Sequence, residues 1–136
     1  MTRNDLVVII PAYNEEANVA RVIHAIRREV PAADVVVIDD GSRDRTAQVA
    51  AQSGARVVRH PYNMGYGAAL QTGYKYARDN SYQVLAQIDA DGQHDPAYIR
   101  DMVALIERGE ADVVVGSRFL VDNGYRAPFA RRIGML

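Results

Sequence analysis

Val35-Val36-Val37-Ile38-Asp39-Asp40-Gly41-Ser42 is an unbroken β-branched run that ends abruptly on two carboxylates, a glycine and a serine. A strand buried on both faces reads this way, because both sets of its alternating side chains are covered. The pattern recurs at Leu6 to Ile10, which leads into Pro11-Ala12-Tyr13-Asn14-Glu15. A shorter run spans Ala55 to Arg59, and another, Gln83 to Ile88, opens into Asp89-Ala90-Asp91-Gly92-Gln93-His94.

Helix-period segments lie between these runs. Val19, Val22, Ile23 and Ile26 share one face before Pro31, and Asp44 to Ser53 forms a second helix that stops at Gly54. Gly65 to Asn80 gives a third, with Ala69, Thr72, Gly73 and Tyr76 aligned. Asp95 caps a fourth, Pro96 enters its first turn, and Ile99, Met102, Val103 and Ile106 face the core. A fifth strand is expected from Ala111 to Gly116, followed by Ser117-Arg118-Phe119. Strands alternating with helices predict an α/β domain with a mainly parallel sheet.

In such sheets ligands bind beyond the carboxyl ends of the strands, so the three polar strand ends predict one shared crevice. Asp39, Asp40, Asp89 and Asp91 would crowd like charges there, which a divalent cation with an anionic ligand offsets. Asp89 and Asp91 are two residues apart, the spacing that puts both side chains on one side of an extended segment. A helix-loop-helix calcium site fits worse, because Gly92 falls at the fourth loop position and Arg100 stands where a glutamate belongs. His94 adjoins a helix start, and no second histidine has ligand spacing, so it reads as structural.

The chain has 136 residues, 49% of them apolar, enough for the core of a single domain. A net charge of −1 and a pI near 6.3 argue against nucleic acid as a partner. The chain contains no cysteine, which suits a reducing compartment. No apolar run approaches the roughly 18 residues of a membrane span, so a soluble chain is expected. There is no G-x-x-x-x-G-K-[ST], and Pro11 to Glu16 lacks the glycines of a dinucleotide turn. Gly65-Tyr66-Gly67 supplies half of one, but Leu70 occupies the place of the third glycine, and helix packing explains these glycines better.

PAYNEEANV at Pro11 to Val19, VVVIDDGSRDRT at Val35 to Thr46, NMGYGAAL at Asn63 to Leu70, QIDADGQHDP at Gln87 to Pro96 and ADVVVGSRF at Ala111 to Phe119 resemble, in order, the signatures of family-2 glycosyltransferases. Within that family the chain is most similar to dolichol-phosphate mannose synthases and bacterial polyprenyl-phosphate glycosyltransferases. The resemblance implies a GT-A (Rossmann-like) three-layer sandwich, C-terminally truncated, since Phe129 to Leu136 begins a helix-like segment at the chain's end. Residues 1–136 would then be its nucleotide-sugar-binding portion, without the acceptor part.

The same resemblance places Pro11, Ala12, Tyr13, Glu15 and Asp40 around the nucleoside, and Asp89, Asp91 and Gln93 on a metal, Mg²⁺ or Mn²⁺, with the donor diphosphate. Arg118 falls near the phosphates, and Arg131 near the reaction centre; Asp91, Arg118 and Arg131 form the expected catalytic set. Alternatives stay open for three of these. Asp40 could cap a helix beside Ser42, Gln93 could be plain turn structure, and Arg131 could join Arg126 and Arg132 in a basic patch at a membrane surface, or yield its role to Arg132.

The activity implied is inverting transfer of a sugar from a GDP- or UDP-sugar to a polyprenyl phosphate at the cytoplasmic face of the membrane. A sugar hydroxyl acceptor would need a carboxylate base, for which nothing after Asp122 is an obvious candidate. A non-catalytic donor- and metal-binding role is the alternative, and peripheral membrane contact and homodimerisation are left open. A sugar-nucleotide pyrophosphorylase would need a glycine- and arginine-rich loop after the first strand, which Pro11 to Glu16 does not provide.

Overall fold

The computed structural model describes residues 5–116. Four parallel strands, β1 (Leu6–Ala12), β2 (Asp34–Asp39), β3 (Arg56–Arg59) and β4 (Val84–Gln87), form one sheet in the order β3-β2-β1-β4. Four helices, α1 (Val19–Glu29), α2 (Thr46–Gln52), α3 (Tyr66–Asp79) and α4 (Ala97–Glu107), alternate with them. The expected α/β architecture is therefore present, with helices on both faces of the sheet.

Alternation along the strands builds the two cores. Val8, Ile10, Val35 and Val37 point to one face, where they meet Val19, Ile23 and Ile26 of α1, Ala50 of α2 and Ile99 and Val103 of α4. Val7, Ile9, Val36 and Ile38 point to the other, covered by Ala69 and Ala77 of α3. These strand residues are fully buried or nearly so, and burying each such side chain contributes about 2 kcal/mol before the entropy of ordering is counted. Gly73 lets α3 lie close to β1: a Cβ there would stand 2.6 Å from Ile9 Cδ1. The packing account expected for Gly65 and Gly67 fails, since a Cβ at either would have nothing within 4 Å; the close helix–strand approach falls at Gly73 instead.

β1 runs two residues beyond the expected Ile10 and takes Pro11 into the interior of the sheet. Ala12 accepts a hydrogen bond from Asp40 N on the β2 side and Ile9 accepts one from Ile88 N on the β4 side, so Pro11 faces β4. The β4 ladder ends at the Ile9–Gln87 pair, and the missing proline N–H costs no ladder bond. α2 begins two residues later than expected, because the Asp44 carboxylate accepts the Thr46 amide and holds that segment as a turn.

The expected fifth strand is not formed among the described residues. Residues 111–116 carry no ladder, and Val113 and Val115 are 77% and 81% exposed. An apolar run becomes a strand only when it pairs, and residues 111–116 pair with no described strand, although β3 and β4 each keep one open edge. No helix among the described residues is long and apolar enough to cross a membrane.

Candidate functional site

With the order β3-β2-β1-β4, successive connections run one way from β1 to β3, then α3 carries the chain back to the far side of β1. The direction reverses between β1 and β4, and the carboxyl ends of strands at such a reversal are where sheets of this kind bind ligands. Pro11 to Glu15 and Asp89 to Gln93 flank the reversal.

On the β1 and β2 side, two loops are knitted together. Asn14 N donates to Ser42 Oγ at 2.9 Å, Arg43 N donates to Asn14 Oδ1 at 2.9 Å, and Glu15 N donates to the wholly buried Thr46 Oγ1 at 2.9 Å. Glu16 N donates to Asp44 Oδ2, and Arg45 N donates to Glu16 Oε2. The Thr46 hydroxyl in turn donates to Asp44 Oδ1. Burial alone would raise the Asp44 pKa, but the Thr46 hydroxyl and the Thr46 and Glu16 amides outweigh it and hold the carboxyl below the ordinary range. This bracing leaves Tyr13 at the mouth, 43% exposed, with Pro11 and Ala12 buried beneath and the Glu15 carboxylate bonded to Asn18 Nδ2.

Asp39 and Asp40 have different surroundings. Asp39 is fully buried; its Oδ1 accepts from Ser42 N at 3.1 Å, while Arg59 Nε stands 3.2 Å from Oδ2 without hydrogen-bond geometry. That oxygen is held by charge alone. Asp40 Oδ1 accepts from Met64 N at 2.8 Å and His60 Nδ1 at 2.7 Å, and Oδ2 accepts from Gly65 N at 2.9 Å and Asn63 Nδ2 at 3.2 Å. The alternative cap role beside Ser42 is therefore not taken up: Asp40 binds the amides that lead into α3, a favourable place for an anion. Since the carboxylate only accepts, His60 Nδ1 carries a proton, and His60 Nε2 lies 2.8 Å from Thr72 Oγ1. Burial pushes the Asp40 pKa up, yet the His60 hydrogen bond, the Met64 and Gly65 amides and the His60 charge outweigh it and hold the carboxyl below the ordinary carboxylate range.

On the β4 side, Asp89 and Asp91 are partly exposed and Gln93 is exposed. Asp91 Oδ1 accepts from Gln93 N at 2.9 Å, so Gln93 takes part in a turn at Asp91, and its side chain stays outside that bond. Asp89 Oδ1 accepts from the Tyr66 hydroxyl at 2.9 Å, and His94 Nδ1 stands 3.8 Å from Oδ2. Among the described residues no three His, Cys, Asp or Glu side chains gather into a metal cage. Two carboxylates at a strand end still fit Mg²⁺ or Mn²⁺, hard ions that keep waters and phosphate oxygens in their coordination sphere. Arg118 and Arg131 lie outside the described residues.

His60, Asn63 and Tyr66 are further residues at the site that the strand-end motifs do not mark. β3 also ends on a polar residue, His60, as the other strands do; Tyr66 carries no signal until α3 is set beside β4.

The family model for glycosyl transferase family 2 matches residues 7–132. The chain belongs to this family. Among family-2 relatives, it is 32% identical over 119 residues to a polyprenol monophosphomannose synthase of Mycolicibacterium smegmatis, covering 83% of this chain and 44% of that protein. It is 32% identical over 118 residues to an undecaprenyl-phosphate mannosyltransferase of Micrococcus luteus, covering 83% and 48%. A solved family neighbour is glucosyl-3-phosphoglycerate synthase of Mycobacterium tuberculosis, in complex with Mn²⁺, UDP-glucose and phosphoglyceric acid. It superposes with a TM-score of 0.64 at 34% identity, over 77% of this chain and 40% of that one. The fold is the GT-A fold expected from the motifs, and the chain spans about half the length of the curated relatives it matches.

Proposed function

We propose that this chain handles the donor in a metal-dependent, inverting glycosyltransferase that moves a sugar from a GDP- or UDP-sugar to a polyprenyl phosphate. The observation that carries the proposal is the reversal of strand order between β1 and β4, with the braced Pro11–Glu15 loop on one side and the Asp89/Asp91 carboxylates on the other. Two of the relatives are named for polyprenol-phosphate acceptors, which supports the acceptor class. The neighbour solved with Mn²⁺ and UDP-glucose supports the metal and donor class.

In this reading Tyr13 offers its ring to the base, Glu15 faces the ribose, and Pro11 and Ala12 form the floor. Asp40 stands at the nucleoside end and shapes it by holding Asn63 to Gly65. Asp89, Asp91 and Gln93 would hold Mg²⁺ or Mn²⁺, which supplies positive charge where the leaving nucleoside diphosphate gains negative charge. Arg118 and Arg131 pair with phosphate oxygens, as planar guanidinium groups do. An oxygen of the acceptor phosphate attacks the anomeric carbon as the bond to the donor diphosphate breaks, inverting that centre. The acceptor is already anionic near neutral pH, so no side chain has to remove a proton. Such an acceptor places the reaction at the cytoplasmic membrane face.

A second reading is donor and metal binding without turnover. One assay separates the two: labelled UDP- and GDP-sugars with undecaprenyl phosphate or phosphoglycerate, each with Mn²⁺ or EDTA, beside donor binding. Transfer to the lipid phosphate that EDTA stops is expected. Binding without transfer selects the second reading, transfer to phosphoglycerate alone reassigns the acceptor, and EDTA-insensitive transfer removes the metal.

A further inference from the structure

Tyr66 and Tyr74 stand eight residues apart on α3, about two turns, which sets them on one face of the helix. Gln87 and Asp89 are two apart at the end of β4, which sets them on one side of the chain. The two pairs meet in a single directed series: Tyr74 Oη donates to Gln87 Oε1 at 2.7 Å, Gln87 Nε2 donates to Tyr66 Oη at 3.2 Å, and Tyr66 Oη donates to Asp89 Oδ1 at 2.9 Å. Every donor points toward the carboxylate, so each bond polarises the next.

We propose that Tyr66 is a positioning residue for Asp89: its phenol fixes one oxygen of the carboxylate in place, Gln87 and Tyr74 fix the phenol, and the other oxygen, which His94 Nδ1 approaches only to 3.8 Å, is the one that would meet the divalent ion. This rests on the metal reading of Asp89 given above. A carboxylate that must meet both an ion and a diphosphate gains from a locked rotamer, since partners behind a ligand set its orientation and its affinity. Tyr66 is also anchored from its own backbone. The preceding Gly65 N–H is bound by Asp40, so the end of β2 sets where the phenol sits at the end of β4. The nucleoside and metal ends of the site are joined through this one residue. Tyr66 is 54% exposed and contributes little to either core, which gives its hydroxyl a use other than packing.

The test is Mn²⁺ titration of the 136-residue chain followed by electron paramagnetic resonance, with UDP and with GDP, for wild type, Tyr66→Phe and Tyr74→Phe. Tyr66→Phe is expected to weaken Mn²⁺ binding about tenfold, the scale of losing a partner behind a ligand, and to broaden the bound-ion signal; Tyr74→Phe, acting through Gln87, weakens it less. Nucleotide affinity in EDTA and the melting temperature in EDTA stay at wild-type values in both variants, which a merely structural role would not allow. Tyr66→Phe binding Mn²⁺ as tightly as wild type, or more tightly, overturns the proposal alone. A wild-type chain that binds no Mn²⁺ with either nucleotide overturns the metal reading and the role of Tyr66 with it.

Discussion

At the scale of single residues, neighbouring carboxylates in one motif do different work. Asp40 is enclosed by four donors, and replacing it with asparagine puts an amide N–H₂ against donors that need an acceptor. Asp40→Asn is expected to lower unfolding stability by about 3 kcal/mol, as breaking a buried charged network does. Its depressed folded pKa gives the sign of the pH effect: the contribution is complete above the unfolded value of 3.8 and is lost as pH falls further through the folded value. Denaturant melts of wild type and variant should therefore converge below about pH 4; a gap constant through the acid range would reject this account. Asp91 is partly exposed and bonded, among the described residues, only to a local amide, so Asp91→Asn should fold normally and, on the proposed function, lose transfer about a hundredfold, the scale of one electrostatic contact to a transition state. Retained activity at saturating Mn²⁺ would remove it from the site. Which residues sit at the strand ends was readable from the run of β-branched residues into polar ones. The division of labour between Asp39 and Asp40 was not, because it depends on His60 and Asn63, brought in by a different strand and loop.

At the scale of elements, the loops after β1 and β2 act as one brace. Thr46→Val keeps the shape of a wholly buried side chain and removes both its bond to Glu15 N and its bond to Asp44, so chemical denaturation should show a loss of about 1–3 kcal/mol. Gly41 has a φ of +70°, and a Cβ there would stand 2.3 Å from the Tyr62 carbonyl carbon. Gly41→Ala is accordingly expected to cost about 2–3 kcal/mol or more, combining left-handed strain with a backbone clash, and an unchanged melting temperature would contradict the close approach. Helix identity followed from apolar faces at helical spacing, and strand identity from short apolar runs that end on polar residues, even where the strand is only four residues long, as in β3 and β4. Residues 111–116 have the same composition as a strand and are not one here: pairing is a property of the neighbour, which no local pattern encodes.

At the scale of the whole molecule, the two sides of the site come from distant parts of the chain and are joined by α3. A donor that bridges them should stabilise the fold by mass action, so UDP or GDP with Mn²⁺ is expected to raise the melting temperature, and EDTA to reverse most of the gain. A midpoint that ignores the metal would mean the nucleotide is held from the β1 and β2 side alone. The position of α3 has another consequence, for synthesis. When β1, β2 and β3 have left the ribosome, α1 and α2 can already cover one face of the sheet, while Val7, Ile9, Val36 and Ile38 on the other have no cover until Tyr66–Asp79 emerges. At 5–20 residues per second that wait lasts on the order of a second, during which a growing chain shows a bare β-branched surface to chaperones and to its neighbours on the polysome.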